Sequence, residues 1–146
     1  MLIKQFATKY HISQDTIRFY EKEGLLSPQR LDNGYRFYDP SCERSIKFIQ
    51  VMKQIGFSLQ EIKLLLTLDE RPMSEACNQA SNNLFVKKIN TVEKQLAFLT
   101  LALRALKMAE GLVQEGKYES NKIKIDKTIE EMYLKIEGGG LFDDIT

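Results

Sequence analysis

The chain has 146 residues, 43% apolar and 28% charged, the profile of an ordinary soluble protein with room for one domain or a small domain plus an extension. No apolar run approaches the ~20 residues that span a bilayer, the N-terminus lacks the apolar core of a signal peptide, and two cysteines, Cys42 and Cys77, are too few for a disulfide framework. These features exclude a membrane span and a disulfide-rich secreted scaffold, and make the cytoplasm the expected location. Net charge is only +1, which argues weakly against nucleic acid, but residues 1–68 carry ten Lys or Arg against seven Asp or Glu, and the remainder is net −2.

The first helix is predicted over residues 2–9, with Ile3, Phe6 and Ala7 on one face. Tyr10-His11 turns the chain into Ser13, whose hydroxyl can accept an orphan backbone N–H at the start of a second helix. That helix carries Ile17 and Tyr20, with Arg18 and Phe19 between them, and should stop near Gly24. Pro28 bars easy continuation. Asp32-Asn33-Gly34 is a turn signal, because Asn-Gly readily takes the positive φ angles of a tight hairpin turn. Tyr35, Arg36, Phe37 and Tyr38 follow. One arginine is thus presented on a rod and another on a finger, shapes that suit the major groove and the backbone or minor groove of a duplex.

Asp39, as N-cap, and Pro40 open a third helix, with Ile46, Ile49 and Met52 as its stripe, Phe48 and Ile55 adjoining, and Gly56 as its end. Ser58 and Glu61 form a capping box for a fourth, with Leu59, Ile62, Leu65 and Leu66 apolar. Arg71-Pro72 is a break. A long helix is then predicted over residues 74–115. Its apolar residues Phe85, Ile89, Val92, Leu96, Leu99, Leu103, Leu106 and Val113 follow steps of four and three that only Glu110 interrupts, a coiled-coil seam. Such a helix is roughly 60 Å long and cannot bury its stripe against a small head. It needs a partner helix, most simply its own copy. After a polar stretch, residues 125–136 are predicted as a last helix, capped by Asp126, with Ile129, Met132, Tyr133 and Ile136 apolar. Gly138-Gly139-Gly140 reads as a flexible break and lacks the lysine of a phosphate loop.

Five pieces in order carry a resemblance to the MerR family of transcription regulators. They are Ile12-Ser13, the run TIRFYE from Thr16 to Glu21, GLLSP from Gly24 to Pro28, NGYRFY from Asn33 to Tyr38, and QIGFSLQEIKLLL from Gln54 to Leu66. The resemblance is close over residues 1–70 and architectural over 74–115. It implies a mostly α fold: a winged helix-turn-helix DNA-binding domain (1–70), a long antiparallel coiled-coil dimerisation helix (74–115) and a short C-terminal effector or tail segment (116–146). The DNA-binding positions it implies are Thr16, Arg18, Phe19, Tyr20, Asn33, Gly34, Tyr35, Arg36, Tyr38 and Lys63. The dimerisation positions are Phe85, Ile89, Val92, Leu96, Leu99, Leu103 and Leu106. The implied partners are a second copy, double-stranded promoter DNA with an inverted repeat, RNA polymerase at that promoter and a small effector. Asp15 departs from the family pattern. It either stabilises the helix N-terminus or accepts from a cytosine amino group, and the first reading is favoured.

Each residue also has a plainer reading. Arg18 is otherwise a solvated helix residue, Tyr20 a core residue, Arg36 a partner of Asp32, and Lys63 a surface lysine. Cys77 matches a ligand position of metal-sensing relatives, but the loop that would complete the site, residues 112–123, contains no Cys and no His. A bound metal is therefore not expected. A small residue packed under the fourth helix is the expectation for Cys77, with a thiol-based redox or metal sensor as the alternative. His11 reads as a turn residue. Tyr118, Met132 and Tyr133 are candidates to line an effector pocket between the last helix and the dimer interface. No catalytic residues and no cofactor are signalled, so an enzyme is not expected. The competing function is a coiled-coil interaction module whose head docks a protein, which salt-dependent binding of duplex DNA would separate.

Overall fold

A computed structural model of the protein describes residues 1–68 and 74–138. The expected break at Arg71-Pro72 and the glycines Gly139 and Gly140 lie outside the described residues. The chain divides into two compact units, Met1–Asn82 and Asn83–Thr146.

In the first unit, helix α1 (Ile3–Tyr10) turns through His11 into α2 (Gln14–Lys22). His11 takes the left-handed conformation, φ 54°. Ser13 caps α2 by accepting the Thr16 N–H at 3.0 Å. Strands β1 (Gln29–Arg30) and β2 (Arg36–Phe37) then pair antiparallel, with Arg30 opposite Arg36. Helix α3 (Pro40–Ile55) starts where the Asp39 carboxylate accepts the Cys42 N–H at 3.0 Å and stops at Gly56, φ 105°. Helix α4 (Leu59–Thr67) opens on the reciprocal Ser58–Glu61 capping box. Phe6, Ile17, Ile46, Ile49 and Ile62 are fully buried, so α1, α2, α3 and α4 all contribute to one core. Cys42 belongs to that core, one turn ahead of Ile46 on α3, while Met52 is only half-buried and Ile55 is exposed.

Helix α5 runs from Glu75 to Gln114. Gly116, φ 66°, breaks it, and a 3₁₀ turn (Glu119–Asn121) leads directly into α6 (Lys122–Glu137). The last helix therefore begins earlier than expected, and Asp126 lies inside it rather than at its cap. No helix among the described residues is long and apolar enough to cross a membrane.

The Asp39 cap sets a pH-dependent contribution. Its carboxyl lies below the usual aspartate range, chiefly because the Cys42 backbone N–H bonds the charged form. That stabilisation is present above the ordinary aspartate pKa and is lost as pH falls through the depressed one. Asp39→Ala is expected to lower the urea midpoint at neutral pH, and the gap from the parent protein should close in acid. Urea titrations followed by circular dichroism at several pH values check this.

Candidate nucleic-acid interface

Capping of α2 by Ser13 orients its first turns. Ile17 and Tyr20 turn inward, and Arg18 and Phe19 turn out to solvent. Thr16 is half-buried and shares a hydrogen bond with the Ser13 hydroxyl at 2.8 Å. Arg18 pairs with Asp15 on the preceding turn at 3.2 Å, with both side chains exposed. Such a pair is weak, so a phosphate can take the guanidinium from it. Asp15 thus lies in the first turn of α2 and pairs with Arg18.

The wing turns over Leu31–Tyr35. Gly34 N–H donates to Leu31 O at 2.8 Å, and Leu31 N–H donates to Tyr35 O at 2.9 Å. Only Gly34 takes a positive φ, 82°; Asn33 keeps a negative one and uses its side-chain oxygen to accept the Tyr35 N–H at 3.1 Å. The expected Asn-Gly turn with two positive φ angles is therefore replaced by one with a single left-handed glycine. Tyr35 projects from it, 63% exposed, and Arg30 donates to Gly34 O at 3.2 Å.

Arg36 departs from its plainer sequence reading, a pair with Asp32. Its Nε donates to Glu21 Oε2 at 2.7 Å, so its ionic partner is on the second helix and is not Asp32. The other Glu21 oxygen accepts the Tyr38 hydroxyl. Tyr38 is 1% exposed, and its ring stacks on Phe6 at 4.7 Å. Burial, and then the Glu21 carboxylate, push its phenol well above the usual range. The expected contact from Tyr38 to a DNA backbone does not fit this placement, because a buried phenol already bonded to a carboxylate offers nothing to a phosphate. Tyr20 likewise sits in the core, and Lys53 donates to its hydroxyl at 3.4 Å. Lys63 is exposed and lies beside Gly24, just past α2.

A cleft of about 340 Å³ results, bounded by Leu2 and Ile3 of α1, Arg18 of α2, and Asn33, Gly34, Tyr35 and Arg36 of the wing. Two arginines from different elements and the tip of the wing thus border one space. Sequence reasoning missed the role of Glu21, for which the motif gave no distinct signal, and Arg30, a second wing cation.

In the second unit, Phe85, Ile89, Val92, Leu96, Leu99, Leu103 and Leu106 are all exposed, Leu106 by 68%. A cavity of about 380 Å³ lies between α5 and α6, lined by Ala102, Ala105, Leu106, Met108, Ala109, Tyr118, Ile125, Thr128, Ile129 and Met132. It includes Tyr118 and Met132 but not Tyr133, which is exposed. Cys77, in the first unit, is half-exposed, and its N–H donates to the Ser74 hydroxyl at 3.1 Å. No group of three or more His, Cys, Asp or Glu among the described residues is placed to hold a metal ion.

Comparison with known proteins agrees with this geometry. Residues 1–68 match the family described as MerR HTH family regulatory protein, and residues 43–109 match the one described as MerR, DNA binding. The HTH-type transcriptional regulator ZntR of Escherichia coli is 33% identical over 105 residues, 71% of this chain and 74% of that protein. The mercuric resistance operon regulatory protein of Bacillus cereus is 32% identical over 105 residues, 71% of this chain and 78% of that one. Among solved structures, HiNmlR, a MerR family regulator lacking the sensor domain and bound to promoter DNA, superposes with a TM-score of 0.64 at 26% identity, covering 82% of this chain and 93% of that one.

The pair on Glu21 gives the half-buried Arg36 a structural role as well. Arg36→Ala should leave a folded protein that is less stable by about 1 kcal/mol, the scale of a charge-assisted hydrogen bond reduced by solvent. Urea denaturation checks this, and an unchanged midpoint would mean that the pair contributes nothing.

Proposed function

The chain belongs to the MerR family of helix-turn-helix transcription regulators, and from that premise we propose that it grips an inverted-repeat promoter site as a homodimer and distorts it in response to a small effector. The observation that carries the DNA contact is the cleft bordered by Arg18 from the helix and Arg36 from the wing. Cations on two elements at one space suit a phosphate, with α2 entering the major groove beside it. Phe19 and Tyr35, both exposed, supply apolar and hydroxyl contacts around that seat, and Lys63 supplies a further backbone contact. Thr16, Asn33 and Gly34 act mainly through the backbone they hold in place.

The second half of the proposal rests on the seam. A row of exposed apolar residues at coiled-coil spacing along a helix of 40 residues is unfavourable in water unless another helix covers it. A second copy in antiparallel orientation supplies that helix and sets two heads at a fixed spacing. Gripping both half-sites lets the dimer bend and untwist the DNA between them, the deformation being offset by phosphate contacts on each flank, for use by RNA polymerase. An effector acts by binding one head spacing better than the other. The cavity beside Tyr118 and Met132, with no charged side chain in its lining, is the seat assigned to it.

Two measurements test these halves. Arg18→Ala with Arg36→Ala should weaken duplex binding in gel-shift titrations and lower the salt slope by about one for each phosphate left without its cation. An unchanged slope would remove both residues from the interface. Leu99→Glu buries an unpaired carboxylate mid-seam, at a cost of several kcal/mol. Sedimentation should then show monomer or aggregate, whereas a variant that stays a dimer would contradict the seam.

A further inference from the structure

Glu21 is an acid among the cations of the proposed DNA-binding surface. Its side chain is 14% exposed, and both its oxygens are engaged, one by Arg36 Nε at 2.7 Å and the other by the Tyr38 hydroxyl. By charge alone it opposes binding, because it adds a negative charge within a Debye length of the phosphates.

The pairing gives it the opposite effect. Strands β1 and β2 contain two residues each, and a hairpin that short does not fix a side chain in place by itself. Glu21 reaches across from α2 and takes Arg36 by Nε. The Arg36 side chain stays 38% exposed and borders the cleft shared with Arg18, and its terminal amino groups make no hydrogen bond among the described residues. A guanidinium held at one nitrogen has less freedom to lose when its fork meets a phosphate.

We propose that Glu21 is the positioning residue of the head. It orients Arg36 for DNA, so that its effect on binding is opposite in sign to its charge. This rests on the phosphate contact assigned to Arg36. Phosphate binding is independent of sequence, so one mixed-sequence duplex serves as the probe, titrated with the full-length protein at several salt concentrations.

Glu21→Ala should weaken binding about tenfold and lower the salt slope as Arg36→Ala does. Glu21→Gln, which keeps an acceptor oxygen, should recover part of the loss. Tyr38→Phe removes only the second bond and leaves the Arg36 pair, so it should keep the parent salt slope and lose clearly less affinity than Glu21→Ala, and a loss as large as that of Glu21→Ala would overturn the proposal. In an Arg36→Ala background, Glu21→Ala should add no further loss. Tighter or unchanged binding by folded Glu21→Ala, or losses that add in the double variant, would overturn the proposal. If circular dichroism shows Glu21→Ala unfolded, the same cycle run with Glu21→Gln decides, and binding tighter than the parent's overturns it. If Arg36→Ala alone leaves affinity and slope unchanged, the phosphate contact itself fails and the proposal fails with it.

Discussion

A carboxylate on the second helix holds the wing. The hairpin is too short to be stable alone, and its position depends on what grips it from the body of the head. Glu21 binds Arg36 and Tyr38, Phe6 stacks on the Tyr38 ring, and the backbone of Met1 pairs with Tyr38 at 2.8 and 2.9 Å. Residues from α1, α2 and the chain start therefore converge on one strand end. The cleft between Arg18 and Arg36 exists because these ties set the distance from rod to finger. A second ion pair, Lys9 with Glu43 at 2.6 Å, links α1 to α3, and Tyr10 bonds the same carboxylate. The polar groups of the head thus serve mainly to fix how its elements are oriented, while Phe6, Ile17, Ile46, Ile49 and Ile62 supply the apolar burial.

The second unit follows another rule. Two rows of residues on α5 have different fates. Ala102, Ala105, Met108 and Ala109 border the cavity toward α6, and their small side chains leave room there. Leu96, Leu99 and Leu103 remain more than half exposed. A helix apolar on two sides is satisfied by two neighbours, and one of these is α6 of its own chain. Leu106 belongs to both rows, so the cavity and the exposed apolar row adjoin.

How much of this was legible in the sequence depended on how local the chemistry was. The caps at Ser13, Asp39 and Ser58 read correctly because each needs only a side chain and the next turn of backbone. The long helix read correctly because periodicity survives without knowing its partner. The Asn33-Gly34 turn was placed correctly but its geometry was not, since Asn33 spends its side chain on the Tyr35 N–H in place of adopting a positive φ. Asp126 looked like a cap because α6 starts further upstream at Asn121, whose side chain makes no capping bond and donates back to Lys117 O at 2.8 Å. Tyr38 and Glu21 were misjudged or missed for a different reason. Their roles arise only when α1, α2 and the wing meet, and no window of sequence contains all three.

In the proposed function, two winged heads set at a fixed spacing by a paired long helix read DNA together. Selection by the intact protein from a pool of random duplexes tests it most directly. The recovered sequences should share two half-sites related as an inverted repeat at one constant spacing. Recovery of a single unrepeated half-site, or no enrichment at salt concentrations where the protein still binds duplex, would contradict it.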